Sequence, residues 1–155
     1  MKLKHVQHRL RQTIQLANLS SCTRRGVGAV AVDKNNITLS EAYNGWIRNS
    51  TFNTCGLGSD CKRNDLVSGS QTQIGCIHAE QNLVVNAART GNSLIDSIVF
   101  LSTYPCLMCA KILVQAGVSK VFVLKNSYPI TDGIDFLREN AVLVILTEVS
   151  DELPQ

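Results

Sequence analysis

Short apolar segments alternate with helical ones along the second half of this chain, and that alternation restricts its fold more than any other feature of the sequence. Helical spacing of apolar residues over 77–88 is followed by a buried strand, and a helix–strand pair then recurs twice. The predicted helices are 5–19, 77–88, 106–116 and 132–140, and the predicted strands are 26–32, 37–43, 97–102, 120–124 and 142–146. This order predicts an α/β fold, a three-layer αβα sandwich around a five-stranded mixed sheet.

The length of 155 residues suits one domain with its own core and is too short for two. We therefore expect a single domain over 1–155. An irregular insert at about 44–76, rich in Gly, Ser, Asn, Thr and Asp, interrupts the alternation. Long irregular segments inside compact domains tend to be functional, so this insert is a candidate part of a site.

Charge and hydropathy exclude several classes of protein. The net charge is +3, and the basic residues are scattered rather than gathered into the stripe of a nucleic-acid binder. No apolar run approaches the roughly 18–20 residues of a membrane span, and the N-terminus lacks the apolar stretch of a secretory signal. A cytoplasmic protein with a small anionic ligand is expected. Its six cysteines are then metal ligands or buried thiols before they are disulfides.

Two short motifs carry the chemistry. His78-Ala79-Glu80 and the later Pro105-Cys106-Leu107-Met108-Cys109 match the H-x-E … P-C-x-x-C pattern of zinc nucleobase deaminases. One imidazole and two thiolates, from His78, Cys106 and Cys109, leave a fourth tetrahedral position open, which is typical of catalytic zinc. A purely structural zinc is the alternative, and it is normally closed by a fourth protein ligand.

Glu80 is the candidate catalytic residue. Zinc lowers the pKa of a bound water from 15.7 toward about 7. Glu80 lies on the same helical turn as His78, so its carboxylate is placed to take the water proton without binding the metal. It then passes protons to the ring nitrogen and to the leaving ammonia, which amounts to hydrolytic deamination.

The chain resembles the deoxycytidylate (dCMP) deaminase family of the cytidine deaminase superfamily from about Leu10 to Leu146. The resemblance is carried by Val27-Gly28-Ala29-Val30, Tyr43-Asn44-Gly45, His78-Ala79-Glu80-Gln81-Asn82, Thr103-Tyr104-Pro105-Cys106-Leu107-Met108-Cys109-Ala110-Lys111 and Tyr128-Pro129. It implies the αβα fold and the conversion of dCMP and water to dUMP and ammonia, which supplies thymidylate synthesis. Asn44, Ala79, Pro105 and Tyr128 would line the substrate pocket.

The same resemblance implies a homo-oligomer, with a hexamer favoured, that dCTP activates and dTTP inhibits. This chain departs from the family at Ala42, where glycine is usual, and at Trp46, where a small residue or proline is commoner. Both changes flank Tyr43-Asn44-Gly45, where substrate and effector would bind. They weaken the expectation of allosteric control.

The remaining cysteines and the arginines give two further candidates. Cys22, Cys55, Cys61 and Cys76 are candidate ligands of a second, structural zinc, and the alternative is that they are buried apolar thiols. A nucleotide phosphate needs a cation, and Arg25 and Arg48 flank the hairpin and loop nearest the predicted pocket.

Three other functions stay open on the sequence alone. They are a deaminase of another cytosine nucleotide or nucleoside, a deaminase of a tRNA base, and a non-enzymatic zinc-stabilised binding module. The tRNA alternative would require a basic, aromatic C-terminal helix, whereas residues 147–155 are short and acidic. The binding-module alternative leaves Glu80 without a use.

Overall fold

The computed structural model describes residues 1–48, 61 and 76–150. Its elements are α1 (Leu3–Ala17), β1 (Gly28–Val32), β2 (Thr38–Tyr43), α2 (Ala79–Thr90), β3 (Ile98–Leu101), α3 (Leu107–Gln115), β4 (Lys120–Leu124), α4 (Asp132–Glu139) and β5 (Leu143–Thr147). Each predicted helix and strand is present. Most of the predicted insert at 44–76 lies outside the described residues.

The five strands form one mixed sheet in the order β2-β1-β3-β4-β5. β1 is antiparallel to both β2 and β3, whereas β3, β4 and β5 are parallel. The helices α3 and α4 connect the parallel strands, as parallel neighbours require. All five residues of β1 are buried because it has a strand on each side and helices on both faces.

The two faces of the sheet bury separate clusters. Alternate residues Val30 and Val32 point to the face covered by α1, where they meet Leu10. Ala29 and Ala31 point to the other face, which α2, α3 and α4 cover. One helix below and three above make the three-layer αβα sandwich that the sequence predicts.

The ends of α2 show one confirmed and one wrong boundary. Gly91 ends the helix with φ +74°, the left-handed conformation that glycine adopts without a Cβ penalty, as predicted. The helix begins at Ala79 and not at Ile77, because the backbone of Ile77 pairs with Gly45 in an isolated antiparallel bridge. None of the helices in the described ranges is long and apolar enough to cross a membrane.

Candidate active site

Two helix N-termini meet above the carboxyl ends of the central strands and bring the predicted ligands together. His78 is the N-cap of α2, and its backbone N–H donates to Gln81 Oε1 at 2.9 Å. Cys106 is the N-cap of α3, and Cys109 lies in the first turn of that helix. Free N–H groups and the positive end of each helix dipole therefore face the site and favour anionic ligands such as thiolates.

The three side chains have the spacing of a metal site. The Nδ1 atom of His78 lies 3.6 Å from Cys106 Sγ and 3.4 Å from Cys109 Sγ. A tetrahedral zinc with Zn–S and Zn–N bonds of about 2.3 and 2.0 Å places its sulfur and nitrogen ligands about 3.5 Å apart. Among the described residues, these three form the one group of potential ligands with all donor atoms within 4.8 Å. The donor set and its geometry fit zinc.

The two thiols are in contact, and this contact is the main reason that the pKa of the Cys106 thiol is lowered to about 4. The same contact and burial raise the pKa of Cys109. The lowered pKa of Cys106 favours the thiolate, the form in which a cysteine binds a metal.

Glu80 lies inside the site without belonging to the ligand group. Its side chain is only 3% exposed, and burial raises the pKa of its carboxyl group. The charge of His78 and contact with the Cys109 thiol oppose this rise in the pKa. A buried carboxyl group with a raised pKa beside a potential metal site is a candidate for proton transfer.

The Asn44-Gly45 segment is tied to the metal-binding segment through its backbone. Gly45 N–H donates to Ile77 O at 3.2 Å, and Ile77 N–H donates to Gly45 O at 2.9 Å. Asn44 is buried, its Oδ1 accepts from Val27 N–H at 2.8 Å, and its Nδ2 donates to Arg25 O at 2.8 Å. Asn44 thereby ties its own segment to Arg25 and Val27, which lead into β1.

Two serines that the sequence analysis did not identify support this segment. Ser20 Oγ donates to Asn44 O at 2.8 Å, and Ser21 Oγ accepts from Trp46 N–H at 3.1 Å. A Cβ on Gly45 would lie 2.8 Å from Ser21 Oγ, so the serine and the glycine fit closely. No local sequence pattern marks these serines, because their partners are more than 20 residues away.

Arg25 and Tyr128 are in contact at the loop that follows β4. The Arg25 guanidinium lies 5.0 Å from the centre of the Tyr128 ring, a cation–π distance, and Nη2 donates to Ser127 O. Thr103 Oγ1 also donates to Ser127 O, at 3.3 Å, and so links this loop to the segment before Cys106. Arg25 is otherwise exposed, which leaves its charge accessible to an anionic ligand.

The other predicted pocket residues differ in their positions. Ala79 is fully buried beside His78, and Pro105 is buried immediately before Cys106. Arg48 instead lines a cavity of about 490 Å³ along β2 with Asn86 and Arg89. Asn86 is eight residues beyond His78, about 12 Å along α2, so the structure does not bring Arg48 to the metal ligands.

The four remaining cysteines are partly brought together. The Cys76 side chain is hydrogen-bonded to Cys22 and lowers the pKa of the Cys22 thiol to about 5. Cys61 is buried, but it joins no group of three donors within 4.8 Å in the described ranges. Cys55 lies outside the described residues. The structure thus pairs two of the four predicted ligands of a second zinc.

Comparisons with known proteins agree with this site. Residues 3–125 match the model of a family described as the cytidine and deoxycytidylate deaminase zinc-binding region. A crystal structure of a dCMP deaminase from the cyanophage S-TIM5, in complex with dCMP and dUMP, has a TM-score of 0.79 and 33% sequence identity. That match covers 95% of this chain and 99% of the phage chain, which confirms the expected cytidine deaminase-like fold.

Curated relatives include longer proteins. A probable deoxycytidylate deaminase of Caenorhabditis elegans is 35% identical over 64% of this chain, and the deoxycytidylate deaminase of Schizosaccharomyces pombe is 34% identical over 72%. The matches span only 47% and 34% of those two relatives' own lengths. The matched family is zinc-binding and the ligand spacing fits the ion, so the predicted zinc cofactor is confirmed. With the family model matching 3–125 of the 155 residues, the chain belongs to the cytidine and deoxycytidylate deaminase family.

Proposed function

We propose that this protein is a zinc-dependent hydrolase that deaminates dCMP to dUMP and ammonia, a step that supplies thymidylate synthesis. The observation that carries the proposal is the buried carboxyl group of Glu80 in contact with the group His78, Cys106 and Cys109. A structural zinc site has no use for a buried carboxyl group that does not bind the metal. Similarity to the cyanophage dCMP deaminase supports dCMP as the substrate.

Each residue has one task in this reaction. His78, Cys106 and Cys109 hold the zinc, which when bound lowers the pKa of water enough to supply a nucleophile at neutral pH. The Glu80 carboxylate accepts the proton of the attacking water and delivers it to N3 of the pyrimidine. It then carries a second proton to the departing amino group, which leaves as ammonia. The raised pKa of Glu80 suits a group that must both accept and donate.

Substrate binding is assigned to residues near the potential metal ligands. Ala79, buried beside His78, offers its backbone to the pyrimidine edge, and Pro105 forms the wall before Cys106. Asn44 contacts the nucleotide, and Tyr128 helps to close the pocket. Arg25 supplies the cation for the phosphate, supported by its exposure and by its place over the Tyr128 ring. Arg48 is not included, since the cavity that it lines lies along β2.

The purified protein should release ammonia from dCMP faster than from deoxycytidine, cytidine, dCTP or a tRNA. Initial rates measured at equal substrate concentrations, with dUMP identified by chromatography, test this directly. If the protein prefers a nucleoside or another nucleotide, the proposed reaction type stands and the assigned substrate changes. If none of these substrates is deaminated by zinc-loaded protein, the proposed function is wrong.

A second, structural zinc at Cys22, Cys55, Cys61 and Cys76 is part of the proposal. Its support is the contact of Cys22 with Cys76, because a thiol whose pKa is lowered to about 5 is a thiolate ready for a metal. Elemental analysis should give two zinc ions per chain in the wild type and one in Cys22→Ser. One zinc per wild-type chain would contradict the second site.

The assembly, effectors and compartment follow the family resemblance as further proposals. We expect a homo-oligomer, with a hexamer favoured, in the cytoplasm. Activation by dCTP and inhibition by dTTP are expected if Ala42 and Trp46 leave that control intact. Size-exclusion chromatography with light scattering measures the oligomeric state. Deamination rates with added dCTP or dTTP measure the regulation. A monomer with rates that neither nucleotide changes would contradict both expectations.

A further inference from the structure

The first turn of α4 lies against the backbone that leads into the metal ligand Cys106. Gly133, the second residue of this helix, is buried at the contact. A Cβ built on Gly133 would lie 2.0 Å from Pro105 O, 2.9 Å from Pro105 C and 3.0 Å from Cys106 C. All three atoms belong to the backbone, so no side-chain rotation relieves the overlap. Only glycine fits here unless one of the two segments moves.

Space, not backbone conformation, is the reason for the glycine. Among the described residues, Gly91 and Gly117 are the glycines with positive φ, and Gly133 is not one of them. Within a helix, alanine is favoured over glycine. A glycine at this helical position therefore gives up intrinsic stability and in return permits the close approach of α4 to Pro105 and Cys106.

Both sides of the contact are anchored. On the side of α4, Ile134 and Leu137 are buried in the core, and Thr131 Oγ1 donates to Asp135 Oδ2 at 2.9 Å. On the side of the metal-binding segment, Thr103 donates to Ser127 O, and Tyr104 Oη accepts from Asn126 N–H at 3.0 Å. Neither segment is free to withdraw without breaking these contacts.

We propose that Gly133 is a positioning residue that sets the place of Cys106 Sγ relative to His78 and Cys109. The peptide between Pro105 and Cys106 rests on Gly133, and Cys106 follows as the N-cap of α3 with its sulfur turned to His78 Nδ1 at 3.6 Å. A shift of this peptide that relieves the overlap changes that sulfur–nitrogen distance and with it the fit to zinc. The inference rests on the proposed zinc site but not on the substrate.

The test compares zinc binding in Gly133→Ala with two controls. Gly28→Ala creates an equally close overlap, with Thr13 O at 2.0 Å, against α1 on the opposite face of the sheet. Leu137→Ala loosens α4 from the core without adding an atom at the contact. Zinc affinity is measured by competition with a chromophoric chelator, and the ligand geometry by the visible absorption of the cobalt-substituted protein. Circular dichroism establishes that each variant is folded.

Gly133→Ala should bind zinc about 10–100-fold more weakly than the wild type and shift the cobalt absorption. Both controls should keep wild-type affinity and spectrum even where their melting temperatures fall. Wild-type zinc affinity and an unchanged cobalt spectrum in folded Gly133→Ala would overturn the proposal. Turnover of dCMP by the wild type is measured separately, so a failure of the proposed function is recognised independently.

A second variant covers the case in which Gly133→Ala does not fold. Pro105→Ala frees φ at the contact, so the double variant Gly133→Ala/Pro105→Ala gives the segment room to move away from the added Cβ. It should fold and bind zinc at least about tenfold more weakly than Pro105→Ala alone. Equal zinc affinity in these two proteins would overturn the proposal.

Discussion

At the residue scale, the site depends on one buried carboxyl group next to a thiol. Glu80 is shielded from water, and burial raises the pKa of its carboxyl group, while contact with the Cys109 thiol and the charge of His78 act in the opposite direction. The net effect is a raised pKa, which favours the protonated carboxyl group more than in an exposed glutamate. The two proposed roles lie side by side at the start of α2, metal binding by the N-cap His78 and proton transfer by Glu80.

Glu80→Gln should retain zinc and lose turnover of dCMP by about 10²–10⁴-fold, because glutamine preserves the shape of the side chain but cannot accept a proton. Steady-state rates and elemental analysis on the same preparation check the two parts. Glu139→Gln is the matched control, since that glutamate is exposed on α4 and should lose nothing. Substantial activity in Glu80→Gln would remove Glu80 from the mechanism.

Arg25→Ala should raise KM for dCMP about tenfold or more and leave kcat nearly unchanged, because a charge-assisted contact to phosphate is worth about 1.5–3 kcal/mol. Any activity on deoxycytidine, which has no phosphate, should be unaffected. Arg48→Ala is the matched control and should leave KM for dCMP unchanged, because Arg48 lines the cavity along β2. The reverse result would assign the phosphate to Arg48.

The metal ligands and Glu80 are predictable from sequence because their spacing within each motif is local. The supports around them are not. Ser20 contacts Asn44 across 24 residues, and Gly133 lies against Pro105 although 28 positions separate them in the sequence. A helix predicted to begin at Asp132 offers no hint that its second residue must be a glycine. That reason exists only once two distant segments meet.

At the element scale, the edge strand β2 is covered by a row of side chains from α2 and the turn after it. The amides of Asn82, Asn86 and Asn92 donate to the backbone carbonyls of β2 at Tyr43, Glu41 and Leu39, at 2.9, 3.1 and 2.7 Å. These carbonyls alternate along the strand, as expected for groups that point away from β1. Covering them removes acceptors that an edge strand would offer to another chain.

The end of α2 gives a prediction about stability alone. Gly91→Ala should lower the free energy of unfolding by about 1–2 kcal/mol, because a Cβ is unfavourable at φ +74°. The added methyl group meets nothing within 4 Å, so no clash contributes and activity should not change. Urea unfolding and steady-state rates provide the two measurements.

Gly91→Asn is the companion variant, because asparagine tolerates the left-handed conformation better than alanine does. It should lose less unfolding free energy than Gly91→Ala. Equal losses would mean that backbone strain at this position is not the cause. A loss of activity in either variant would show that the C-terminal end of α2 is coupled to the site at its N-terminal end.

At the scale of the whole molecule, the alternation of strands and helices is enough to predict the topology. The parallel order of β3, β4 and β5 follows from their connection through α3 and α4, and the hairpin of β1 and β2 from the turn between them. A helix boundary differs from its prediction where a distant backbone binds the terminal residue, as Gly45 binds Ile77 before α2. The prediction of the insert at 44–76 concerns residues mostly outside the described ranges.

Side chains of α1 hold the segment that follows β5: Arg11 Nη2 donates to Ser150 O, and the buried Gln7 makes two further hydrogen bonds. Gln7 on α1 is 5% exposed, its Nε2 donates to Glu148 O at 2.9 Å, and its Oε1 accepts from Ser150 N–H at 3.1 Å. The sequence does not reveal this role of Gln7, because its partners follow 141 and 143 residues later. Gln7 thus fastens the segment after β5 to the single helix that covers its face of the sheet.

Gln7→Leu should therefore lower the free energy of unfolding by about 1–3 kcal/mol, since leucine fills the space but leaves a carbonyl and an N–H without their partner. Gln12→Leu is the control on the same helix, because the Gln12 amide donates to Glu41 at an exposed position where water replaces it. Urea unfolding compares the two variants, and hydrogen exchange at β5 should rise in Gln7→Leu alone. Equal losses of unfolding free energy in the two variants would mean that the loss is not specific to Gln7. Gln7 would then not be the residue that holds the segment after β5 to α1.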